Sequence, residues 1–161
     1  MVMVAIDSNT ILVSPIKNRK DAELQRACLE LLHRAKEPVI TAKKNVLDNE
    51  FSTNMKELIR KECKLELMPP GCHCQNMAEL SIKAFKHNFI AILSGVNVTF
   101  PMALWDKLLP QAEVTLNLLR QSQKIPTVST HAHLHGNFDY NRIPLSSLGC
   151  AVQLHEDADN R

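Results

Sequence analysis

The chain has 161 residues, 45% apolar and 22% charged, and its 19 Lys and Arg against 17 Asp and Glu leave +2 with His neutral. That balance excludes a polybasic tail or an acidic disordered segment as the main feature, so any nucleic-acid contact must come from local charge placement. Five Phe, one Tyr and one Trp are too few for a base-stacking platform, while a chain of this length buries ~70% of its unfolded surface without disulfides or metal.

The chain opens on two β-rich runs, Val2-Met3-Val4-Ala5-Ile6 and Thr10-Ile11-Leu12-Val13, separated by the turn formers Asp7-Ser8-Asn9. This predicts a hairpin starting at residue 2, and a sheet that begins so abruptly suggests a very tight domain or a front cut away. From 18 to 37, Leu24, Cys28, Leu31, Leu32 and Ala35 recur at helical spacing until Pro38 stops them. Val39-Ile40 and Val46-Leu47 give one interrupted or two short strands ending at Asp48-Asn49-Glu50. Residues 51–62 read as helix through Met55, Leu58 and Ile59, and Leu65 and Leu67 alternate in a short strand before Pro69-Pro70-Gly71.

The longest helical signal follows. Ala78, Ile82, Phe85, Phe89 and Ile92 step by three and four, so they are expected to line one buried face, with Gly95 as the stop. A second long helix after Phe100-Pro101 carries Leu104, Leu108, Ala112, Leu116 and Leu119, and Pro110 should bend or split it. Trp105 fits a packing role at the domain surface or an oligomer interface. Residues 124–150 read as extended, irregular chain and 156–161 as a frayed end. The element order is α/β, with a hairpin in front and parallel pairing behind it. The expected division is a domain over 1–123 and an extended tail over 124–161.

Five cysteines form an odd set that reads as free thiols in a reducing compartment. No apolar run approaches a membrane span, and no secretory signal is legible, so an intracellular chain is expected. Cys72-His73-Cys74 could offer zinc ligands with Cys63 or His87, but a lone C-x-C is a weak signal and a loop before a helix explains it. His131, His133 and His135 alternate, so on an extended segment all three would share one side. They make the best competing metal site, set against a solvated-loop reading. No zinc is expected. No Gly-x-Ser-x-Gly elbow, P-loop or dinucleotide fingerprint is present.

Two carboxylates stand out. Asp48 falls at the C-terminal end of a predicted strand, the sheet edge where ligands bind in open α/β folds. Glu79 lies in the first turn of the long helix. Two acids brought together there would repel unless a hard cation lay between them, although capping roles explain each singly. Glu79, Lys83 and Lys86 stand at i, i+4 and i+7, so two ammonium groups continue from the acid along one stripe. A carboxylate-bound metal beside a lysine row suits a phosphodiester. A solvated Glu–Lys face is the plain alternative.

The segment LDNEFSTNMKELIRKECKLELMPPGCHCQNMAELSIKAFKHNFIAIL resembles the retroviral-type integrase core in the pol polyproteins of LTR retrotransposons. The runs FPMALWDKLLPQAEVTLNLLRQS and HLHGNFDYNRIPLSSLGCAVQLHE resemble the tail of the same region. The resemblance implies a ribonuclease-H-like mixed sheet flanked by helices, and two aspartates and a glutamate that hold Mg²⁺ or Mn²⁺. It implies attack on a phosphodiester, first in processing element ends and then in strand transfer, with DNA as partner. Asp48 matches the second aspartate, Glu79 the terminal glutamate, Asn76 the polar residue three positions before it, and Lys83 and Lys86 basic positions that face DNA.

The family's first aspartate would fall on a strand upstream of Met1. Asp7 could substitute for it as a metal ligand, although the turn reading competes. Cys74-Gln75 and Leu80-Ser81 stand where similar sequences carry arginines, and the flanking zinc-binding and C-terminal DNA-binding domains of integrases are not found. The expectation is therefore an integrase-core fragment lacking its first strand and inactive alone, nuclear if it works on chromosomal DNA. The alternatives are a catalytically dead DNA-binding or dimerisation module and, behind it, a zinc-binding module.

Overall fold

The computed structural model describes residues 1–36, 44–47, 51–68 and 77–152. Strands β1 (Val2–Ala5) and β2 (Thr10–Val13) form the expected antiparallel hairpin, pairing Val2 with Val13 and Ala5 with Thr10. The Asn9 N–H closes the turn onto the Ile6 carbonyl at 3.1 Å, and Asn9 takes the left-handed conformation (φ 60°) that asparagine tolerates. Helix α1 (Asp21–Lys36) follows, then β3 (Lys44–Leu47), α2 (Thr53–Glu62) and β4 (Lys64–Leu67). Ser52 caps α2 by accepting the Met55 N–H. Strands β3 and β4 pair in parallel, with Lys44 opposite Lys64 and Leu47 opposite Leu67. Val39 and Ile40 lie outside the described residues.

Helix α3 (Met77–Ser94) is followed by a 3₁₀ segment, Met102–Leu108, and by α4 (Leu109–Leu119). Pro110 splits the expected long helix. Its ring removes one N–H, which is tolerated in the first turn of α4, where the N–H groups have no intrahelical acceptor. The irregular reading of 124–150 needs one correction: Thr130–His135 forms a short helix, α5. Ser129 caps it by accepting the Ala132 N–H, and Gly136 ends it at φ 80°.

The alternating side chains of the hairpin divide the molecule into layers. Ile11 and Val13, with Val2 and Val4, pack on Phe85, Leu109 and Ala112 of α3 and α4. Met1 and Met3 point the other way, with Leu12, onto Leu31, Leu32 and Ala35 of α1. Leu47 and Leu65 join that second side through Cys28, Met55 and Ile59. The hairpin is thus covered on both faces. Among the described residues, β3 and β4 contribute to the α1/α2 clusters and not to the α3/α4 cluster. The two strand pairs form separate two-stranded sheets on shared helices. This is a mixed α/β architecture, and no helix among the described residues is long and apolar enough to cross a membrane.

Candidate functional site

The long helix α3 presents two unlike faces. Ser81 and Phe85 are buried, and Phe85 stacks on Phe89 with ring centroids 5.8 Å apart. Phe89 meets the edge of Trp105 at 6.2 Å, which ties the 3₁₀ segment to the helix as the packing reading of Trp105 anticipated. Ile82, expected on the buried face, is 45% exposed, because the packed stripe is centred on Ser81, Phe85, Asn88 and Ile92 rather than one position round. Glu79, Lys83 and Lys86 occupy the opposite face and are all exposed. Neither lysine is engaged by a carboxylate among the described residues.

Asp48 and Asn76 lie outside the described residues, as do Cys72, His73 and Cys74. Asp7 is exposed on the hairpin turn, and its carbonyl accepts the Lys124 N–H at 3.0 Å. Met77 and Asn9 line one cavity, so the start of α3 neighbours the end of the hairpin turn. Among the described residues, however, no three His, Cys, Asp or Glu side chains come together in a group able to hold a metal ion.

The histidines are arranged differently from their expected common side. In α5 the i, i+4 pair His131 and His135 share a face, with ring centroids 5.1 Å apart, and His131 also meets the edge of Phe138 at 5.2 Å. Burial lowers the pKa of His131, and the neighbouring His135 adds to the shift. His133 turns elsewhere: its Nδ1 lies 2.6 Å from the Ser122 hydroxyl, which also accepts the Ile125 N–H. A helical rather than extended backbone is what parts them. Cys28, Cys63 and Cys150 are free thiols, and burial pushes Cys28 up to about 11, so it is unreactive at neutral pH.

The polar cluster that sequence reading missed lies along β2. Met1 and Ser14 exchange hydrogen bonds, so the polar groups of Ile11 and Val13 point away from β1. Asn117 on α4 brackets Ile11: its Oδ1 accepts the N–H at 3.0 Å and its Nδ2 donates to the carbonyl at 2.8 Å. Glu113 accepts the Val13 N–H at 2.7 Å, while Arg34 of α1 donates both to the Val13 carbonyl, at 3.0 Å, and to Glu113. Arg120 completes the row by donating to the carbonyl and side-chain oxygen of Asn9. Glu113 and Asn117, at i and i+4 on α4, thus read Val13 and Ile11 of β2 in reverse order, and Arg120, which ends α4 in extended backbone, continues the row onto Asn9 of the turn. Buried Glu113 and Asn117 inside the apolar run LPQAEVTLNLL were the available signal.

Burial pushes the Glu113 carboxyl up, against the opposing pull of the Val13 N–H and Arg34. Burial also lowers the pKa of the Arg120 guanidinium. No protein-family model matches this chain, and no curated protein matches it.

Proposed function

We propose that this chain is a fragment of a retrotransposon-type integrase core that retains DNA contact and is inactive in polynucleotidyl transfer on its own. The observation that carries the reading is the exposed face of α3, where Glu79 in the first turn is followed by Lys83 and Lys86 free of carboxylate partners among the described residues. Such a stripe offers ammonium groups to successive phosphates, and each released counterion contributes to affinity. Supporting it, a hairpin, a helix and a parallel β-α-β unit follow one another in the order that a ribonuclease-H-like sheet would have without its first strand. The described strands depart from the single mixed sheet of that fold, because the two pairs share helices α1 and α2 but not a hydrogen-bonded ladder. If Asp48 and Glu79 meet around a divalent ion, that ion would supply Lewis-acid stabilisation of the phosphodiester. The chain's own lysines position the backbone. Work on chromosomal DNA would place the protein in the nucleus.

Two measurements test this. A mobility shift with duplex DNA over a salt titration should give salt-sensitive binding, and Lys83→Glu with Lys86→Glu should abolish it at moderate salt. Neutralising one lysine at a time should reduce the slope of log K against log salt by about 0.9. DNA binding that survives the double change would sink the lysine-face reading. A strand-transfer assay with Mg²⁺ or Mn²⁺ should show no joining, and joining that depends on Asp48 and Glu79 would overturn the inactive assignment.

A further inference from the structure

Between the hairpin turn and the end of α4 lies an open cavity of about 500 Å³, lined by Asn9, Met77, Arg120, Gln121, Ser122 and Gln123 among others. Among the described residues that line it, Arg120 alone is formally charged. Two of its five N–H groups are held by Asn9, through Nε to the carbonyl at 3.1 Å and through Nη2 to Oδ1, which leaves three to donate. Asn9 is itself fixed, because its Nδ2 donates to the Gln121 carbonyl at 3.0 Å. The guanidinium plane is therefore set before any ligand arrives, which reduces the entropy lost on binding.

Among the described residues this cation lacks an anion. No carboxylate pairs with Arg120 among the described residues, and burial lowers its pKa with no acid opposing the shift. Half-withdrawing a charge from water without a partner is unfavourable, so a bound anion would recover energy already lost. The surroundings favour one. Ser122 is buried, with its hydroxyl turned to His133, so Gln121 and Gln123 on either side fall together on the exposed side, bringing neutral amides to the rim. Met77, the first residue of α3, adds the positive end of an 18-residue helix. An arginine fork pairs bidentately with a phosphate, and the two rim amides can donate to the oxygens that the fork does not reach.

We propose that this cavity is a phosphate-binding site anchored by Arg120 and completed by Gln121 and Gln123. The assignment rests on the cavity and its uncompensated charge, independently of the integrase reading. The test is thermal unfolding of the full chain with inorganic phosphate, against chloride and acetate at matched ionic strength. Phosphate at ~100 times its Kd should raise Tm by ~5 °C or more. Arg120→Gln should remove the shift. Because Arg120 also holds the hairpin turn, Gln123→Glu is the cleaner variant. It places a carboxylate on the rim without touching the turn, so it should weaken phosphate at least ~10-fold, and by supplying Arg120 with an anion it should not lower the ligand-free Tm. Displacement of phosphate by a short DNA duplex would identify the source as a nucleic-acid backbone. Binding without displacement would identify a free phosphate or monoester. No shift beyond chloride, an equal shift from acetate, or a shift retained in Gln123→Glu would each overturn the proposal.

Discussion

Along the outer edge of β2, the polar groups of Ile11 and Val13 each meet a side chain, whereas along the outer edge of β1 those of Val2 and Val4 meet none among the described residues. Strand β1 is apolar at all four positions and β2 at three, yet all four residues of β2 are buried and all four of β1 are half-buried. The difference comes from helix α4. Four helical residues rise about 6 Å and two strand residues about 7 Å, so side chains at i and i+4 can follow a strand edge for one short stretch. A helix laid along an edge in this way satisfies the ladder without adding a strand, and it removes the edge as a template for pairing. Among the described residues, edge β1 has no such cover.

Removing the closure at its centre should have the largest effect. Asn117→Ala would leave the Ile11 N–H and carbonyl without partners in a buried setting, and two such orphans cost about 3 kcal/mol together. Thr130 would lose a contact too, since its hydroxyl donates to the Asn117 carbonyl at 2.8 Å and lies 3.2 Å from Oδ1. Asn117→Asp should do no better, because it keeps the acceptor for the N–H but turns an oxygen toward the Ile11 carbonyl. Urea unfolding of both variants reads this directly. A loss below ~1 kcal/mol would mean that water replaces the amide and the edge is not closed.

The second consequence concerns dynamics. Amides of Ile11 and Val13 should exchange with solvent only on large-scale opening, while those of Val2 and Val4 should exchange at least ~100-fold faster, near the low-stability end of the molecule. Hydrogen exchange followed by NMR measures all four in one sample. Equal protection on both edges would show that something covers β1 in solution, and a pairing partner would then be sought there.

How much of this could be read beforehand depends on which periodicity carried it. The hairpin announced itself through two alternating apolar runs around Asp7-Ser8-Asn9, and α1, α2 and β4 through apolar spacing that packing then used. Glu79, Lys83 and Lys86 were legible because an i, i+4, i+7 stripe survives folding whenever the helix forms. The edge closure was not legible. Glu113 and Asn117 are polar residues in an apolar helix, and local pattern assigns such residues to solvent, whereas here the strand's own backbone is the polar surface they serve. Helix α5 was hidden by the alternation of HAHLHG, which imitates a strand. Its markers were the flanking Ser129 and Gly136, at positions where a short helix takes its caps. Asp48 and Asn76, the remaining expected site residues, lie outside the described residues.

The smallest predicted effect separates the charge of Glu113 from its hydrogen bond. Burial raises the Glu113 pKa, and the Val13 N–H and Arg34 only partly offset it. A carboxyl whose folded-state pKa lies above its unfolded value binds protons more tightly when folded. Its contribution is therefore fully present below the unfolded pKa, ~4.3, and is lost as pH rises through the folded value. Glu113→Gln keeps an acceptor for the Val13 N–H and cannot ionise. The stability of the wild type relative to Glu113→Gln should accordingly fall as pH rises through this window and then level off. Paired urea titrations at a series of pH values give the difference. If it rises instead, Arg34 outweighs burial, and the β2 edge is closed by an ion pair rather than by a buried acceptor that happens to be charged.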